Sequence, residues 1–322
     1  MTACIATPAA VKSRSGNRIT ALRWAKRLRE LGWRVDVLEQ WDGSPCDVLI
    51  ALHAVRSHSS IARHAALFPD QRRVVALTGT DIYADPIAHE VLDSIAMADR
   101  VVVLQPEALT RLPAGAQPKS MVIRQSAMAP RTKQRISPPG ELQVVVLGHL
   151  RAVKNPLLAA NAVMLLPPSS TVRVFHLGAA TGEAWRSRAD QTMAAAGGRW
   201  CWLGEKPRHE ALRILAAADA CVLTSIAEGG ANVVTEAIAC GVPVLSTRID
   251  GSVGILGASH PGYFAVGEAR ELADLLARCE HDVAFLRALQ AYSVELQPTV
   301  SPDRERDAWR ELLEGLGGQA GR

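Results

Sequence analysis

Short apolar runs alternate with amphipathic stretches along most of this chain, and this alternation constrains the fold more than any other feature. Runs such as Val48–Leu52 and Ala220–Leu223 are apolar throughout, which is typical of strands buried on both faces of a parallel sheet. Strands that alternate with helices predict α/β domains in which helices cover both faces of the sheet. The alternation pauses at 126–141, where proline and basic residues predict a linker.

The alternation on either side of this linker predicts two Rossmann-like domains, residues 1–140 and 141–300, followed by a capped amphipathic helix within 301–322. The predicted strands are Cys4–Thr7, Arg34–Leu38, Val48–Leu52, Val74–Leu77, Val101–Leu104, Met121–Ile123, Gln143–Leu147, Val172–Leu177, Trp200–Leu203, Ala220–Leu223 and Val244–Ser246. The predicted helices are Ile19–Leu31, Ile87–Ala98, Asn155–Leu165, Ala184–Ala196, Arg208–Ala217 and Asn232–Cys240.

The most specific motif begins at Glu228 and reads Glu-Gly-Gly-Ala-Asn-Val-Val-Thr-Glu-Ala-Ile-Ala-Cys-Gly-Val-Pro. It follows a predicted strand, so Glu228 is expected at the carboxyl end of that strand. Gly229 and Gly230 allow the backbone to approach a ligand closely, and Asn232 is expected to cap the following helix. The amides and the positive dipole at the start of that helix favour a phosphate or diphosphate. Glu236, one turn into the helix, is expected to accept hydrogen bonds from sugar hydroxyls.

This arrangement resembles the E-x7-E motif of the GT-B glycosyltransferases of the family 4 type. The resemblance implies two Rossmann-like domains that face a central cleft, with the C-terminal helix crossing back to the first domain. It also implies that residues 1–140 bind the acceptor and residues 141–300 bind a nucleotide-sugar donor. Glu228 would then hold the donor hexose and Glu236 the nucleotide ribose. The diphosphate would lie on the backbone of Gly229, Gly230, Ala231 and Asn232.

A second loop, Gly148–Pro156, follows the first strand of the second predicted domain, and its carboxyl-edge position favours a role in ligand binding. In the family this loop carries an Arg and a Lys that neutralise the diphosphate. Lys154 matches the Lys, whereas His149 stands where the Arg is usual, so that the second cation is expected from Arg151 or is missing. We expect Arg151, Lys154 and Glu228 to be catalytic, because they would stabilise charge on the leaving phosphate or hold the hexose. By position alone, Glu205 and Lys206 are expected to bind the nucleobase end of the donor.

In the first domain, the loop before the first predicted helix contains Gly16, Asn17 and Arg18, with Asn17 expected as the helix cap. In the family this loop contacts donor or acceptor. Thr80 and Asp81 end another predicted strand at a place where relatives often carry a histidine, and Asp81 could orient an acceptor or accept a proton. His53 is a further candidate, with packing as the alternative role. We therefore expect acceptor binding by Gly16, Asn17, Arg18, His53, Thr80 and Asp81.

Composition narrows the possible functions. Residues 1–140 carry 19 basic and 12 acidic side chains, against 17 and 20 in the remainder, and this basic half could attract an anionic acceptor or an anionic membrane surface. Aromatic residues are scarce and no recognition motif for nucleic acid occurs. No G-x-G-x-x-G follows the first strand of either half, which argues against a dinucleotide-dependent dehydrogenase. Neither a cofactor nor a metal site is expected, and six scattered cysteines predict a reduced, cytoplasmic protein.

A narrower resemblance covers both predicted domains. The run Ser15–Ala25, the run Leu77–Tyr83 and the loop from Gly148 to Lys154 resemble the selenosugar synthases of bacterial selenoneine biosynthesis. This resemblance implies transfer of a hexose, typically N-acetylglucosamine, from a UDP-sugar to selenophosphate, with formation of a C–Se bond and release of UDP. Two alternatives remain: a family 4 transferase acting on a lipid or a small metabolite, and a non-catalytic sensor that binds a UDP-sugar.

Overall fold

The computed structural model of the protein describes residues 1–13, 15–79, 81–83 and 86–317. They form two compact units. The first combines Met1–Ser126 with the C-terminal segment that begins at Pro302, and the second is Ala127–Ser301. Each unit is built on its own parallel sheet.

The first sheet has six strands among the described residues, and every neighbouring pair is parallel. They are β1 (Thr2–Ala6), β2 (Arg34–Leu38), β3 (Val48–Leu52), β4 (Arg72–Leu77), β5 (Arg100–Val103) and β6 (Ser120–Val122), in the order β2-β1-β3-β4-β5-β6. Its helices are α1 (Gly16–Glu30), α2 (His58–Leu67), α3 (His89–Met97) and the single turn α4 (Glu107–Thr110). Because the strand order reverses between β1 and β3, the loops after these two strands flank the point where open α/β sheets bind ligands.

The second sheet is also parallel throughout. Its strands are β7 (Leu142–Leu147), β8 (Val172–Leu177), β9 (Trp200–Trp202), β10 (Ala220–Leu223), β11 (Val244–Thr247) and β12 (Tyr263–Phe264), in the order β12-β11-β10-β7-β8-β9. Its helices are α5 (Leu158–Met164), α6 (Glu183–Ala196), α7 (Arg208–Leu215), α8 (Asn232–Cys240), α9 (Asp250–Leu256), α10 (Ala269–His281) and α11 (Val283–Leu296). Here the order reverses between β7 and β10, so the loops after those two strands meet at the expected ligand position.

Each sheet divides its core between two faces, because successive side chains of a strand point in opposite directions. In β4, Val74 and Ala76 pack with α1 on one face, whereas Val75 and Leu77 pack with α2 and α3 on the other. All four side chains are at most 2% exposed. The continuous apolar runs in the sequence therefore correspond to strands covered on both faces.

The last helix, α12 (Pro302–Gly317), packs against α1 within the first unit. The rings of Trp24 and Trp309 meet edge to face at 4.9 Å, and both residues are fully buried. The buried carboxylate of Glu305 accepts hydrogen bonds from Trp24 Nε1 (3.0 Å), Arg23 Nε (3.0 Å) and Ser126 Oγ (2.5 Å). These polar contacts anchor α12 to the helix and strand end beside it, and the aromatic pair adds about 1 kcal/mol beyond its buried area.

The structure extends the predicted element set. Helices α2, α4, α9, α10 and α11 and strand β12 were not predicted, whereas β2, β3, β8, β10 and α8 have the predicted bounds. The segment 127–141, expected to be a linker, belongs to the second unit. Its backbone is held there by hydrogen bonds from Ala127 N to Val300 O (3.0 Å) and from Gln134 N to Arg213 O (2.9 Å).

Two buried histidines, His64 and His176, are expected to lower the free energy of unfolding in acid. Burial lowers the pKa of His64 and of His176 to about 4, below the ordinary value of 6.5. Between these values the unfolded chain binds protons that the folded chain does not, so the free energy of unfolding should fall as pH drops from about 6.5 to about 4. The slope should approach roughly 1.4 kcal/mol per pH unit for each histidine.

Urea denaturation between pH 7 and pH 4 measures this slope. His176→Gln, which can still donate to the carbonyl that His176 Nε2 contacts at 2.9 Å (Gly148 O), should flatten it. His281→Gln is the matched control, because that side chain is 70% exposed. An equal slope in His176→Gln and the wild type would contradict the prediction.

Candidate functional site

The loops after β7 and β10 bring Lys154 and Glu228 together. Lys154 Nζ forms an ion pair with Glu228 Oε1, and Ser225 Oγ donates a hydrogen bond of 2.6 Å to the same oxygen. The lysine side chain is 20% exposed and the glutamate side chain 13%, so the pair is largely shielded from water. Both contacts use Oε1, and within the described residues Oε2 has no hydrogen-bond partner.

The two loops are also joined through their backbones. Ile226 N donates to Val153 O (2.8 Å), and Thr224 Oγ1 donates to Lys154 O (2.8 Å). Lys154 ends a 3₁₀ turn, Ala152–Lys154, after which Asn155 adopts a left-handed conformation with φ of 42°. Helix α5 therefore begins at Leu158, and the prediction that it starts at Asn155 is wrong.

Gly251 of helix α9 packs closely against the backbone and Cβ of Glu228. A Cβ atom at Gly251 would lie 2.2 Å from Glu228 O and 2.9 Å from Glu228 Cβ. No side chain fits in that space, because real Cβ contacts essentially never fall below 3.0 Å. Gly251 is thus a positioning residue for Glu228.

Helix α8 begins where the sequence predicts, but its cap differs. Ala231 occupies the N-cap position and Asn232 is the first helical residue, so the assignment of Asn232 as the cap is wrong. Gly229, Gly230 and Ala231 are buried in the turn that leads into the helix. The amino end of α8 therefore follows directly on the loop that carries Glu228, and its dipole favours an anion there.

Glu236, expected to hold a ribose, is buried and paired. Its Oε1 lies 2.6 Å from Nη1 of Arg208, the first residue of α7, although the angle between the groups does not meet hydrogen-bond geometry. The Glu236 side chain is 8% exposed and that of Arg208 is 41% exposed. The Arg208 side chain therefore borders solvent, whereas the Glu236 carboxylate is enclosed by the unit.

His149 is held by the backbone of the neighbouring loop. Its Nδ1 accepts a hydrogen bond from Ala179 N (3.1 Å), which fixes the neutral tautomer with the proton on Nε2. Burial lowers the pKa of His149, and the charges of Arg151 and Lys154 lower it further against the opposite effect of Glu205. The imidazole therefore does not supply a second cation at neutral pH.

The remaining predicted donor residues lie at the edge of this cluster. Arg151 is exposed and forms no ion pair with any described residue, so its guanidinium is available to a ligand. Lys206 Nζ lies 3.6 Å from Glu210 Oε1, one turn along the same segment. Glu205 is exposed and close enough to His149 to affect its pKa.

In the first unit, His53 and Asp81 meet at the carboxyl edge of the sheet. His53 Nδ1 lies 3.3 Å from Asp81 Oδ2, and the same oxygen accepts a hydrogen bond from Ala54 N (2.7 Å). Burial raises the pKa of Asp81 and lowers the pKa of His53. His53 has a φ of 70°, an uncommon backbone conformation outside glycine that clusters at functional sites. Gly79 lies against both side chains, since a Cβ there would be 2.6 Å from Asp81 Oδ1 and 2.9 Å from His53 Cδ2.

Helix α1 begins at Gly16, and its N-cap is Ser15; the assignment of Asn17 as the cap is therefore wrong. Asn17 Oδ1 instead accepts a hydrogen bond from Thr78 Oγ1 (2.9 Å). Arg18 is buried, with 7% exposure. Thr80, the remaining predicted acceptor residue, lies outside the described residues.

The sequence did not identify Ser225, Gly251 or the pairing of Arg208 with Glu236 in the donor-side cluster. Ser225 lies three residues before Glu228, a spacing that permits the observed contact. No sequence spacing connects Arg208 with Glu236 or Gly251 with Glu228, because those contacts depend on which strands are neighbours. The whole cluster offers a lysine, a free guanidinium, a helix amino end and two carboxylates, a combination suited to a phosphorylated sugar derivative.

The described residues contain no group of three His, Cys, Asp or Glu side chains placed to hold a metal ion. All six cysteines are free thiols. Among the helices that the structure describes, none has the length and apolarity needed to cross a bilayer.

Several solved structures share this fold over nearly the whole chain. Sucrose-phosphate synthase from Thermosynechococcus elongatus aligns with a TM-score of 0.80 at 16% identity and covers 99% of each chain. HepE of Anabaena, solved in complex with UDP-glucose, aligns with a TM-score of 0.77 at 17% identity and covers 99% of this chain and 100% of its own. These likenesses confirm the predicted GT-B fold class.

A curated relative matches a shorter stretch. The putative teichuronic acid biosynthesis glycosyltransferase TuaC of Bacillus subtilis (strain 168) is 37% identical over 79 residues, which amount to 24% of this chain and 20% of that protein. The match therefore spans about a fifth of the length of this relative.

The family comparison covers the unit that contains Lys154, Glu228 and Glu236. The model for "Glycosyl transferases group 1" matches residues 130–294, just over half of the chain. The match includes the loops after β7 and β10, the whole of α8 and the Gly251 that supports Glu228. This chain belongs to the glycosyl transferases of group 1.

Proposed function

We propose that the protein is a metal-independent glycosyltransferase that moves a hexose, N-acetylglucosamine in the first instance, from a UDP-sugar to selenophosphate. The observation that carries the donor half of this proposal is the contact between Lys154 and Glu228 beside the amino end of α8. It joins a cation suited to a diphosphate with a carboxylate suited to sugar hydroxyls. The UDP-glucose complex of HepE, a protein with the same fold, supports a UDP-hexose as the donor class.

Each residue of the donor site has its own role in the proposed reaction. Lys154, assisted by the exposed Arg151, neutralises the diphosphate, and the amides of Gly229, Gly230, Ala231 and Asn232 bind its oxygens. Glu228 accepts hydrogen bonds from the hexose through its available Oε2. Glu236 accepts hydrogen bonds from the ribose once Arg208 has moved toward solvent, and Glu205 and Lys206 line the nucleobase end.

In the reaction the bond between C1 of the hexose and the β-phosphate oxygen breaks, and its electron pair stays on UDP. A selenium lone pair of selenophosphate forms the new C–Se bond. The acceptor is already ionised, so the step needs no strong general base. The growing negative charge on UDP is the feature that Lys154 stabilises more in the transition state than in the bound substrate.

The acceptor assignment is supported by the basic balance of residues 1–140 and by the buried cation Arg18 near the start of α1. His53 and Asp81 lie at the carboxyl edge of the same sheet and would position the acceptor. Gly16, Asn17 and Thr80 complete the set of proposed acceptor residues.

Mass spectrometry of the reaction products tests this function. UDP-N-acetylglucosamine and enzymatically generated selenophosphate are incubated with the protein, and we expect a hexosamine that carries the selenium isotope pattern together with free UDP. Glu228→Gln should lower product formation about 10- to 100-fold and weaken discrimination among hexoses, because it loses the charged acceptor for sugar hydroxyls.

The same experiment separates the rival functions. UDP release that depends on a lipid or metabolite, without a selenium product, would replace selenophosphate as the acceptor and leave the transferase intact. Tight binding of a UDP-sugar without turnover on any acceptor would indicate a sensor. Absence of UDP-sugar binding would contradict the donor site itself.

A further inference from the structure

Two buried hydroxyl groups connect β11 with the carboxylate of Glu228. Thr247, the last residue of β11, donates from Oγ1 to Ser225 O (2.7 Å), and Ser225 Oγ donates to Glu228 Oε1 (2.6 Å). Thr247 is 0% exposed and Ser225 is 1% exposed, so water does not compete for either hydrogen bond. Thr247 and Ser225, the hydroxyl pair, therefore link a strand of the second sheet to the side chain assigned to the hexose.

The segment that carries Glu228 is a loop between β10 and α8, so its shape depends on contacts with its neighbours. In the sheet, β10 lies between β7 and β11. The loop is bonded to the loop after β7 through Ile226 N and Val153 O (2.8 Å). It is bonded to the end of β11 through Ser225 O and the hydroxyl of Thr247. Hydrogen bonds to both neighbours thus fix the backbone just before Glu228.

Thr247 is itself held firmly. Its carbonyl oxygen accepts hydrogen bonds from Ser246 Oγ (3.0 Å) and from Ile249 N (3.0 Å). Ser246 Oγ also lies 2.7 Å from Ser252 Oγ, which belongs to α9 next to Gly251. The β-branched side chain of a threonine has few accessible rotamers, which limits the positions that its hydroxyl can take. The donor that Thr247 presents to the loop is therefore preorganised.

Of the two groups that contact Glu228 Oε1, Ser225 constrains the carboxylate more than Lys154 does. The lysine ammonium is a compact charge on a long flexible side chain, so it attracts the carboxylate without fixing its rotation. The serine hydroxyl is one bond from Cβ, on the backbone that Thr247 holds. The orientation of the carboxylate, and hence the direction of Oε2, follows from the position of that backbone.

We propose that Thr247 and Ser225 are positioning residues that direct Glu228 Oε2 to the hexose hydroxyls of the donor. The inference rests on the proposed function for the role of Glu228 in hexose binding. Thr247 acts through the backbone of Ser225, and Ser225 acts through the carboxylate. A carboxylate held in one orientation distinguishes hexoses that differ in the configuration of one hydroxyl, because a misplaced hydroxyl leaves the acceptor oxygen unpaired.

Calorimetric titration of the full-length protein with UDP, UDP-N-acetylglucosamine and UDP-N-acetylgalactosamine tests this inference without any acceptor. Thr247→Val keeps the shape of the side chain and removes its hydroxyl. It should weaken binding of UDP-N-acetylglucosamine about 10-fold and reduce the preference between the two epimers, whereas UDP should bind as it does to the wild type. Thr247→Ser, which keeps the hydroxyl, should restore the preference.

Ser225→Ala gives a second test that leaves β11 unaltered, and it should cause a similar loss of about 10-fold for the UDP-hexose alone. The double variant should lose less than the product of the two single losses, because both hydroxyls act on one carboxylate. Thr299→Val is the matched control. Thr299 Oγ1 also donates to a backbone carbonyl, Leu296 O, at 2.7 Å, but in the 3₁₀ turn Gln297–Val300. This variant should bind all three nucleotides like the wild type.

A wild-type hexose preference in Thr247→Val or in Ser225→Ala would overturn the inference. An equal loss of UDP affinity would also overturn it, because it would reveal a purely structural role, and so would failure of Thr247→Ser to restore the preference. The transfer assay separates this inference from the proposed function. Selenosugar formation with wild-type hexose preference in both variants would refute the inference and retain the function. A preference that depends on the hydroxyl pair, without any selenium product, would retain the inference and refute selenophosphate transfer.

Discussion

Replacement of Lys154 by alanine is expected to lower the turnover of hexosyl transfer by about 100- to 1,000-fold. The ammonium contacts Glu228 Oε1 at the carboxyl edge of the second sheet, and the lysine side chain is only 20% exposed, so water screens its charge poorly. In the proposed mechanism, removal of this charge leaves the departing diphosphate without the cation that neutralises it. It also leaves the Glu228 carboxylate with Ser225 Oγ as its remaining partner.

Steady-state kinetics combined with UDP titration distinguish the two effects of Lys154→Ala. If the lysine acts on the transition state, kcat should fall far more than the affinity for UDP. Lys133→Ala is the matched control, an exposed lysine of the same unit, and should leave both quantities unchanged. Arg151→Ala should lower kcat by about 10-fold, because its exposed guanidinium is well screened by water. A Lys154→Ala variant with the kcat of the wild type would remove Lys154 from the catalytic set.

The contact between Lys154 and Glu228 also predicts that their effects are coupled. Once Lys154 is alanine, the further change Glu228→Gln should cost less than it does in the wild type, since one partner of the pair is already missing. A double-mutant cycle on kcat/KM measures this coupling, which we expect at about 1–3 kcal/mol. Strict additivity would show that the two side chains act independently.

The sequence was sufficient for the parts of this site that depend on local order. Glu228 and Lys154 could be recognised because each lies in a loop that follows an apolar run, and such loops gather at the carboxyl edge of a parallel sheet. The pairing of the two side chains could not be predicted, because it requires β7 and β10 to be neighbours although β8 and β9 lie between them in the chain. Helix α10 was missed despite a clear signal: Leu272, Leu276 and Cys279 recur at the spacing of one helix face and are buried.

Polar contacts across the fold were the least predictable. Asn17 and Asn232 have the residue type of a helix cap, yet each lies inside its helix, and the caps are Ser15 and Ala231. In both cases the preference of asparagine for helix caps predicts the correct turn, but the observed cap lies one or two residues earlier. Arg18 Nε and Nη1 have no hydrogen-bond partner among the described residues. This could not be predicted either, since the neighbouring arginines of the same helix pair with Glu305 and Glu30.

Gly251→Ala is expected to lower kcat/KM by about 100-fold although the residue contacts no substrate in the proposed mechanism. Its new Cβ would lie 2.2 Å from Glu228 O and 2.9 Å from the carbonyl carbon. Both are backbone atoms, so no side-chain rotation relieves the clash, and either α9 or the loop that carries Glu228 must shift. A displacement near 1 Å of a group that orients the substrate reduces catalysis by about this factor.

The matched control for Gly251→Ala is Gly115→Ala, because a Cβ at Gly115 meets no atom within 4 Å. It should leave both activity and stability close to those of the wild type. Overpacking at Gly251 should also lower the free energy of unfolding by about 1–3 kcal/mol, so activity is measured well below the Tm of the variant. The decisive comparison is between hexose transfer and UDP binding. Displacement of Glu228 should impair transfer of the hexose, whereas UDP, which lacks the sugar, should bind with nearly unchanged affinity. Equal losses in hexose transfer and in UDP binding would show that the substitution disrupts the whole unit and would remove Gly251 as a positioning residue for Glu228.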